Sequence, residues 1–332
     1  MVLTARECGR LESVGTSVGQ LEESIMSFGK YLGKWSVLGA AVFAAVAGSP
    51  GGVRAETALK PIKEVFEPAK TPDPKVYGKV AVVQWAPPMA TEVGVSRERA
   101  EQLKQVNRDI MAQYTREAAG KGAKMVIHSE FSVLGYPDIP ELPSEDDNYR
   151  NREDIAPYVE TIPGPSSQYF SAVAKELGVY IQFGLAERDA KSDLYYNAAV
   201  MVGPDGAIVG TYRKINHYQQ EHEFLAAGTK PVVFVTPFGR VAPIICADVY
   251  STNPMQKLAE QKVNVVTLST SWAQMNTGIN SFQQGARWTG AYLLAANQPY
   301  FPDSGVINPD GTLQSHIRQT QGIAYGYLPY VK

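Results

Sequence analysis

From residue 79 onward, apolar positions recur with two alternating periods. Residues 79–86 (KVAVVQWA), 123–129 (AKMVIHS), 179–188 and 263–269 are short apolar runs bounded by polar or glycine positions, which predicts buried strands. Between them, residues 96–120 repeat apolar positions at helical spacing. Ser96 is placed as N-cap, and Gly120 or Gly122 as the stop. Residues 166–177 read as a second helix closed by Gly178, with further helices over 253–261 and 281–289. Residues 196–202 and 207–213 flank Gly203-Pro204-Asp205-Gly206 and predict a hairpin. Strands are also expected at 232–236, 241–246, 292–297, 305–307 and 322–327, with Asn308-Pro309-Asp310-Gly311 as another hairpin turn. Hairpins mixed with helix-connected strands predict one α/β (α+β) domain over 78–332, with mixed sheets covered by helices on their outer faces.

Residues 56–77 (with KPIKEVFEPAKTPDPKVY) are rich in Pro and Lys and read as a linker or extended arm. Upstream, 37–47 (VLGAAVFAAVA) is an apolar run far shorter than the roughly 20 residues a membrane span needs. Lys30 and Lys34 precede it, GSPGG follows it, and Val53-Arg54-Ala55 supplies a small-residue cleavage pattern. Those three parts, over 26–55, read as a secretory signal. A signal normally opens a chain, so Met26 is the expected start and 1–25 a mis-called start or extension. Cleavage after Ala55 gives an exported protein, periplasmic or extracellular, with no membrane span left; Ala45-Val46-Ala47 offers a second cleavage site. The alternative is a cytoplasmic protein, or one anchored by 35–47.

The composition is that of an ordinary globular protein: 332 residues, 44% hydrophobic and 19% charged, which argues against disorder, collagen and coiled coil. A net charge of −2 leaves no bulk basic charge for nucleic acid. Four histidines, at 128, 217, 222 and 316, give little material for a zinc site; His217 and His222, five apart, do not share a helical face. Removal of the leader also removes Cys8 and leaves Cys246 without an intramolecular partner, which makes a reactive role worth testing. Eight acids between 138 and 160 read as a solvated loop; the sharper reading is a lid that disfavours anionic substrates.

Catalytic groups in sheet enzymes tend to sit where strands give way to loops. Three predicted strand ends carry reactive residues: Glu130 after MVIHS, Lys214 after AIVGTYR, and Cys246 after VAPII. Singly, each has a structural explanation as a solvated acid, a solvated base or a core thiol. Together they make a mechanism without histidine. An ammonium favours the thiolate and stabilises an oxyanion, and a carboxylate takes the thiol proton and returns it to a leaving amine.

The chain resembles the nitrilase superfamily of carbon–nitrogen hydrolases. Three motifs carry the likeness in the family's order: Glu130 within VIHSEFSVLGYPD, Lys214 within GTYRKINHY, and Cys246 within VAPIICADVY. Glu221 in EHEFLAAG matches the family's second acid, and 294–298 and 305–311 resemble its C-terminal segments. The resemblance implies a four-layer α-β-β-α sandwich of two mixed sheets, dimerising through helices. It implies Cys246 as nucleophile forming a thioester, Glu130 as general base and acid, and Lys214 with the Ala247 backbone N–H as oxyanion donors. Glu221 would orient Lys214 or the substrate. Trp272 falls where the family often lines its pocket, though a core aromatic reads equally well. No metal or cofactor is implied, and the partner is a small amide.

Two departures bear on the substrate. His128-Ser129 replaces the apolar residue and Pro that many members carry before the acid. VYSTNP follows Cys246-Ala247-Asp248 in place of a basic residue and Phe-Pro-Glu. Nitrilases proper usually follow their cysteine with Trp-Glu, so an amide or carbamoyl substrate is favoured over a nitrile. The expectation is an exported thiol amidase that converts a small carboxamide to carboxylate and ammonia. Its alternatives are an N-carbamoyl amide hydrolase, a nitrilase, an acyltransferase and, more remotely, a non-catalytic binding protein on the same scaffold.

Overall fold

The computed structural model describes residues 65–87, 91–137, 149–272, 278–298, 303–318 and 320–331. The expectations for 1–25 and 26–55, for the first part of the arm and for 138–148 of the acidic stretch lie outside them; in the rest of that stretch Asp154 and Glu160 are buried, not solvated, and Glu160 accepts from Lys104 at 2.7 Å.

Among the described residues, thirteen strands form two sheets. The first sheet contains β1 (Val65–Phe66), β2 (Tyr77–Gln84), β3 (Ala123–Ile127), β4 (Tyr180–Arg188), β5 (Tyr195–Val202), β6 (Ile208–Arg213) and β13 (Gly322–Pro329), in the order β1-β13-β2-β3-β4-β5-β6. The second contains β7 (Phe234–Thr236), β8 (Gly239–Ile245), β9 (Val265–Thr270), β10 (Tyr292–Asn297), β11 (Ser304–Ile307) and β12 (Leu313–Ile317), in the order β12-β11-β10-β9-β8-β7. The helices are α1 (Arg97–Gly120), α2 (Arg152–Ile155), α3 (Pro165–Leu177), α4 (Glu221–Phe224), α5 (Thr252–Glu260) and α6 (Gly278–Thr289), and a 3₁₀ turn spans Cys246–Tyr250.

Strand alternation dictates the layering, because successive side chains point to opposite faces. On β2, Ala81 and Val83 face α1 and α3 and pack with Met111, Phe170 and Ala174. Val80 and Val82 face the other way and meet Val241, Val265, Leu294 and Ala296 of the second sheet. On β9, Val266 and Leu268 pack under Met255, Leu258 and Phe282 of α5 and α6. The result is helices, sheet, sheet, helices, as expected. The inter-sheet layer also carries a polar bridge: Gln182 Nε2 donates to Ser269 Oγ at 3.0 Å and its Oε1 accepts from Thr267 at 2.6 Å, so these buried polar groups are matched.

Local signals set the boundaries. Ser96 caps α1 by accepting from the Arg99 N–H at 3.1 Å. Gly178 closes α3 in the left-handed conformation, at φ 64°. Both predicted hairpin turns join antiparallel strands. Three details differ from expectation. β3 ends at Ile127, because His128 to Phe131 leave the sheet to form the loop that carries Glu130. β12 was not expected as a strand; LQSHI mixes Gln, Ser and His at an exposed sheet edge and lacks a clean apolar alternation. Within the 56–77 arm, Val65 and Phe66 pair in parallel with β13.

Sheet direction positions the site. In the first sheet β3, β4 and β6 run the same way, since β3 and β4 are parallel and β5 is antiparallel to both β4 and β6. In the second, β8, β9 and β10 are parallel. Each set delivers its C-terminal ends to one rim.

Candidate active site

Lys214 follows directly on β6, Cys246 follows directly on β8, and Glu130 lies three residues beyond β3. All three are buried, with Glu130 1% and Lys214 2% exposed. The Lys214 ammonium donates to Glu130 Oε1 at 2.9 Å and to Glu221 Oε2 at 2.7 Å. Asn197 Nδ2, on β5, donates to the same two acids, at 2.7 Å to Glu130 and 3.1 Å to Glu221. The Tyr218 N–H adds a third donor to Glu221, at 2.8 Å. Two carboxylates share one ammonium away from water, and fixed donors replace the hydration they lose.

Glu130 is held from the second sheet as well. The Ser271 N–H, just past β9, donates to Glu130 Oε2 at 2.9 Å, and Gln298 Nε2 donates to the Glu130 carbonyl at 2.5 Å. Beneath the Glu130 loop lies Gly184 of β4. A Cβ there would come within 2.6 Å of the Phe131 nitrogen and 2.8 Å of the Ser129 carbonyl. Only a residue without a side chain lets the loop lie flat on the strand.

Cys246 sits at φ 45°, a strained backbone for a non-glycine residue. Asp248 secures that turn. Its carboxylate accepts from the Ile245 N–H at 3.0 Å, the Tyr212 hydroxyl at 2.7 Å, and the Asn216 N–H and side-chain amide at 3.0 and 2.8 Å. Ala247, the next residue in the turn, is buried. The Cys246 thiol faces the Ser271 carbonyl, with Sγ 3.9 Å away. Ser271 thus touches both the acid and the thiol.

The electrostatics sharpen the expected roles. Burial, with the neighbouring Glu221 charge, raises Glu130 above the ordinary carboxylate range despite the opposing pull of Lys214. Burial opposes charge on Lys214, but Glu130 and Glu221 together raise it well above its usual value, so it stays an ammonium. The thiol is pushed up to about 12 by burial first and by Glu130 second, against the lowering effect of Lys214. The sequence expectation that the ammonium favours the thiolate therefore holds in direction only. The resting group is a thiol, and its proton needs an acceptor at the moment of attack.

Glu221 bonds to Lys214 and leaves the thiol to others. Trp272 is buried, its ring edge-on to Tyr250 at 5.8 Å and to Phe282 at 5.4 Å, so it is both a core aromatic and the inner neighbour of a half-exposed tyrosine. Sequence reasoning missed Asn197, Ser271, Gln298 and Tyr212, and gave Asp248 no role. Asn197 had a visible signal, being a polar residue in the middle of an apolar strand. Gln298 lay in the 294–298 segment that resembles the family but was given no role, and Ser271 had no signal, since it acts from the end of a neighbouring strand. Among the described residues, no group of three His, Cys, Asp or Glu is placed to hold a metal.

With this geometry in view, the comparison with known proteins is specific. The sequence profile of the carbon–nitrogen hydrolases matches residues 79–329, which takes in the two-sheet sandwich apart from β1 and the first two residues of β2. The chain belongs to the carbon–nitrogen hydrolase family. This carbon–nitrogen hydrolase is 32% identical over 190 residues to a protein named nitrilase from Pyrococcus abyssi, covering 57% of this chain and 63% of that one. It therefore spans less than two thirds of that relative's length. It is 28% identical over 242 residues to the human omega-amidase NIT2, covering 66% of this chain and 81% of that protein. Its fold is shared with an amidase from Nesterenkonia sp., with a TM-score of 0.60 at 17% identity over 76% of this chain and 91% of the amidase.

Proposed function

We propose that the protein is a thiol-dependent amidase acting on small carboxamides. The observation that carries this reading is the Lys214 ammonium held between Glu130 and Glu221 beside a buried cysteine. In the proposed cycle Cys246 Sγ attacks the amide carbon as Glu130 takes the thiol proton. The carbonyl oxygen becomes an oxyanion, stabilised by Lys214 Nζ and the Ala247 N–H. Glu130 then returns the proton to the nitrogen, the C–N bond breaks and ammonia leaves. A thioester remains. Water attacks it with Glu130 again as base, and carboxylate and free thiol are regenerated. The raised Glu130 suits both halves of the cycle, because a carboxyl nearer neutrality both accepts and donates. Amidases among the relatives support the amide class, and the nitrilase name of the Pyrococcus relative keeps nitriles in the comparison.

The test is ammonia release by the purified protein across short amides, aromatic amides, N-carbamoyl amino acids and nitriles, with Cys246→Ala beside it. Added hydroxylamine would trap an acyl-enzyme as hydroxamate and expose transfer chemistry. The expected result is release from amides that falls by on the order of a thousandfold or more in Cys246→Ala. Release that survives the substitution would remove the cysteine from the mechanism.

A further inference from the structure

Thr270 is the last residue of β9 and is completely buried. Its backbone is pinned on both sides. Asn297 of β10 is its register partner, and the Gln298 N–H donates to its carbonyl at 3.2 Å. On the other side β8 and β9 pair in parallel as far as Ile245 opposite Ser269. The next residues on those two strands are Cys246 and Thr270. The Thr270 hydroxyl has no hydrogen-bond partner in the resting protein, which is rare for a buried hydroxyl. The many donors around Glu130, Glu221 and Asp248 all come from other groups, so the hydroxyl is not used by the network described above.

We propose that Thr270 is a positioning residue for Cys246, its hydroxyl donating a hydrogen bond to the sulfur once the thiol proton has passed to Glu130. This rests on the amidase reading of the same site. Thr270 keeps its own proton throughout and forms no covalent bond. It supplies a neutral donor from the strand next to the one that ends at Cys246. The charged and titratable groups that also bear on the sulfur are Glu130 beyond β3, Lys214 beyond β6 and Glu221 on α4, with Tyr136 further along the segment after β3 and Tyr250 in the turn that carries Cys246. Among these influences Thr270 acts in the same direction as Lys214, favouring the thiolate against burial and the two acids. Lys214 is committed to two carboxylates, so a donor with no other partner is the group free to follow the sulfur from thiol to thioester and back.

The experiment is alkylation of Cys246 by iodoacetamide, followed by intact mass over the neutral to mildly alkaline range, in wild type, Thr270→Val and Thr270→Ser. Thr270→Val keeps the shape and removes the donor. It should alkylate about tenfold more slowly at each pH, its profile displaced upward by on the order of one unit, with Thr270→Ser within about twofold of wild type. In turnover, kcat should fall by a similar factor while KM changes little. Thr270→Ala, which removes the donor without adding bulk, carries the same expectation and replaces Thr270→Val if that variant fails to fold. Wild-type alkylation in both donor-less variants, or Thr270→Ser as slow as Thr270→Val, would overturn the assignment. Alkylation reads the thiol itself. A protein silent toward every amide but with the predicted profile shift would refute the amidase reading and leave the Thr270 assignment standing.

Discussion

At the scale of single residues, the site is a problem in buried charge. Glu130 and Glu221 share the Lys214 ammonium, and all three are at most 2% exposed. Lys214→Met would leave two carboxylates without a counter-ion, held only by Asn197 and backbone donors. Breaking such an arrangement from one side costs about 3–5 kcal/mol, so the variant should lose that much unfolding free energy in a urea titration along with its activity. An unchanged midpoint would mean that the acids take up protons at little cost. The resting thiol follows from the same balance: burial and Glu130 outweigh one ammonium already bonded to two acids.

At the scale of elements, β3 and β4 form the platform for the acid. Because Gly184 lies directly under the Glu130 loop, Gly184→Ala should lift that loop and separate Glu130 from Lys214 and Ser271. The expected outcome is a loss of about 1–3 kcal/mol in stability, with a fall in kcat that exceeds any change in Cys246 alkylation. His128, directly after β3, gives the platform a pH dependence. Its ring is fully buried, with Nε2 2.9 Å from Thr115 Oγ1, and burial lowers it from 6.5 to about 3. Between those values the unfolded chain binds a proton that the folded chain does not. The contribution is therefore fully present above about pH 6.5 and is lost as pH falls toward 3. Urea unfolding should show a loss of about 2 kcal/mol from this group between roughly pH 6.5 and 5, absent in His128→Leu. Equal slopes in the two proteins would assign the acid sensitivity elsewhere.

At the scale of the whole molecule, the sandwich joins two sheets that each contribute part of the site. Glu130, Lys214, Asn197 and Glu221 come from the first sheet and its loops, and Cys246, Ser271 and Gln298 from the second. The inter-sheet layer thus sets the geometry of catalysis as well as stability. No helix among the described residues is long and apolar enough to cross a membrane. Export remains our proposal, resting on the three-part pattern over 26–55. Expression in a Gram-negative host should then yield a protein whose first residue by N-terminal sequencing lies near Glu56. A cytosolic protein beginning at Met1 would refute it.

The strands, the main helices, their caps and the hairpin turns were legible in the sequence because each is encoded locally. Ser96, Gly178 and the Gly203–Gly206 turn act within a few residues of themselves. Glu130, Lys214 and Cys246 were legible for a related reason: each follows an apolar run that had to end, and their order along the chain matches a known family. Which strand end neighbours which was not encoded locally. Ser271 meets both Glu130 and Cys246 because β9 lies beside β8 and its sheet packs on the one carrying β3, a relation between residues 141 positions apart. Asn197 bridges two acids, and Thr270 ends the strand next to the one that leads into Cys246, only through strand register. The protonation of the thiol was likewise undecided by spacing. It depends on how much water the packed sheets exclude, and that is fixed only once both are in place.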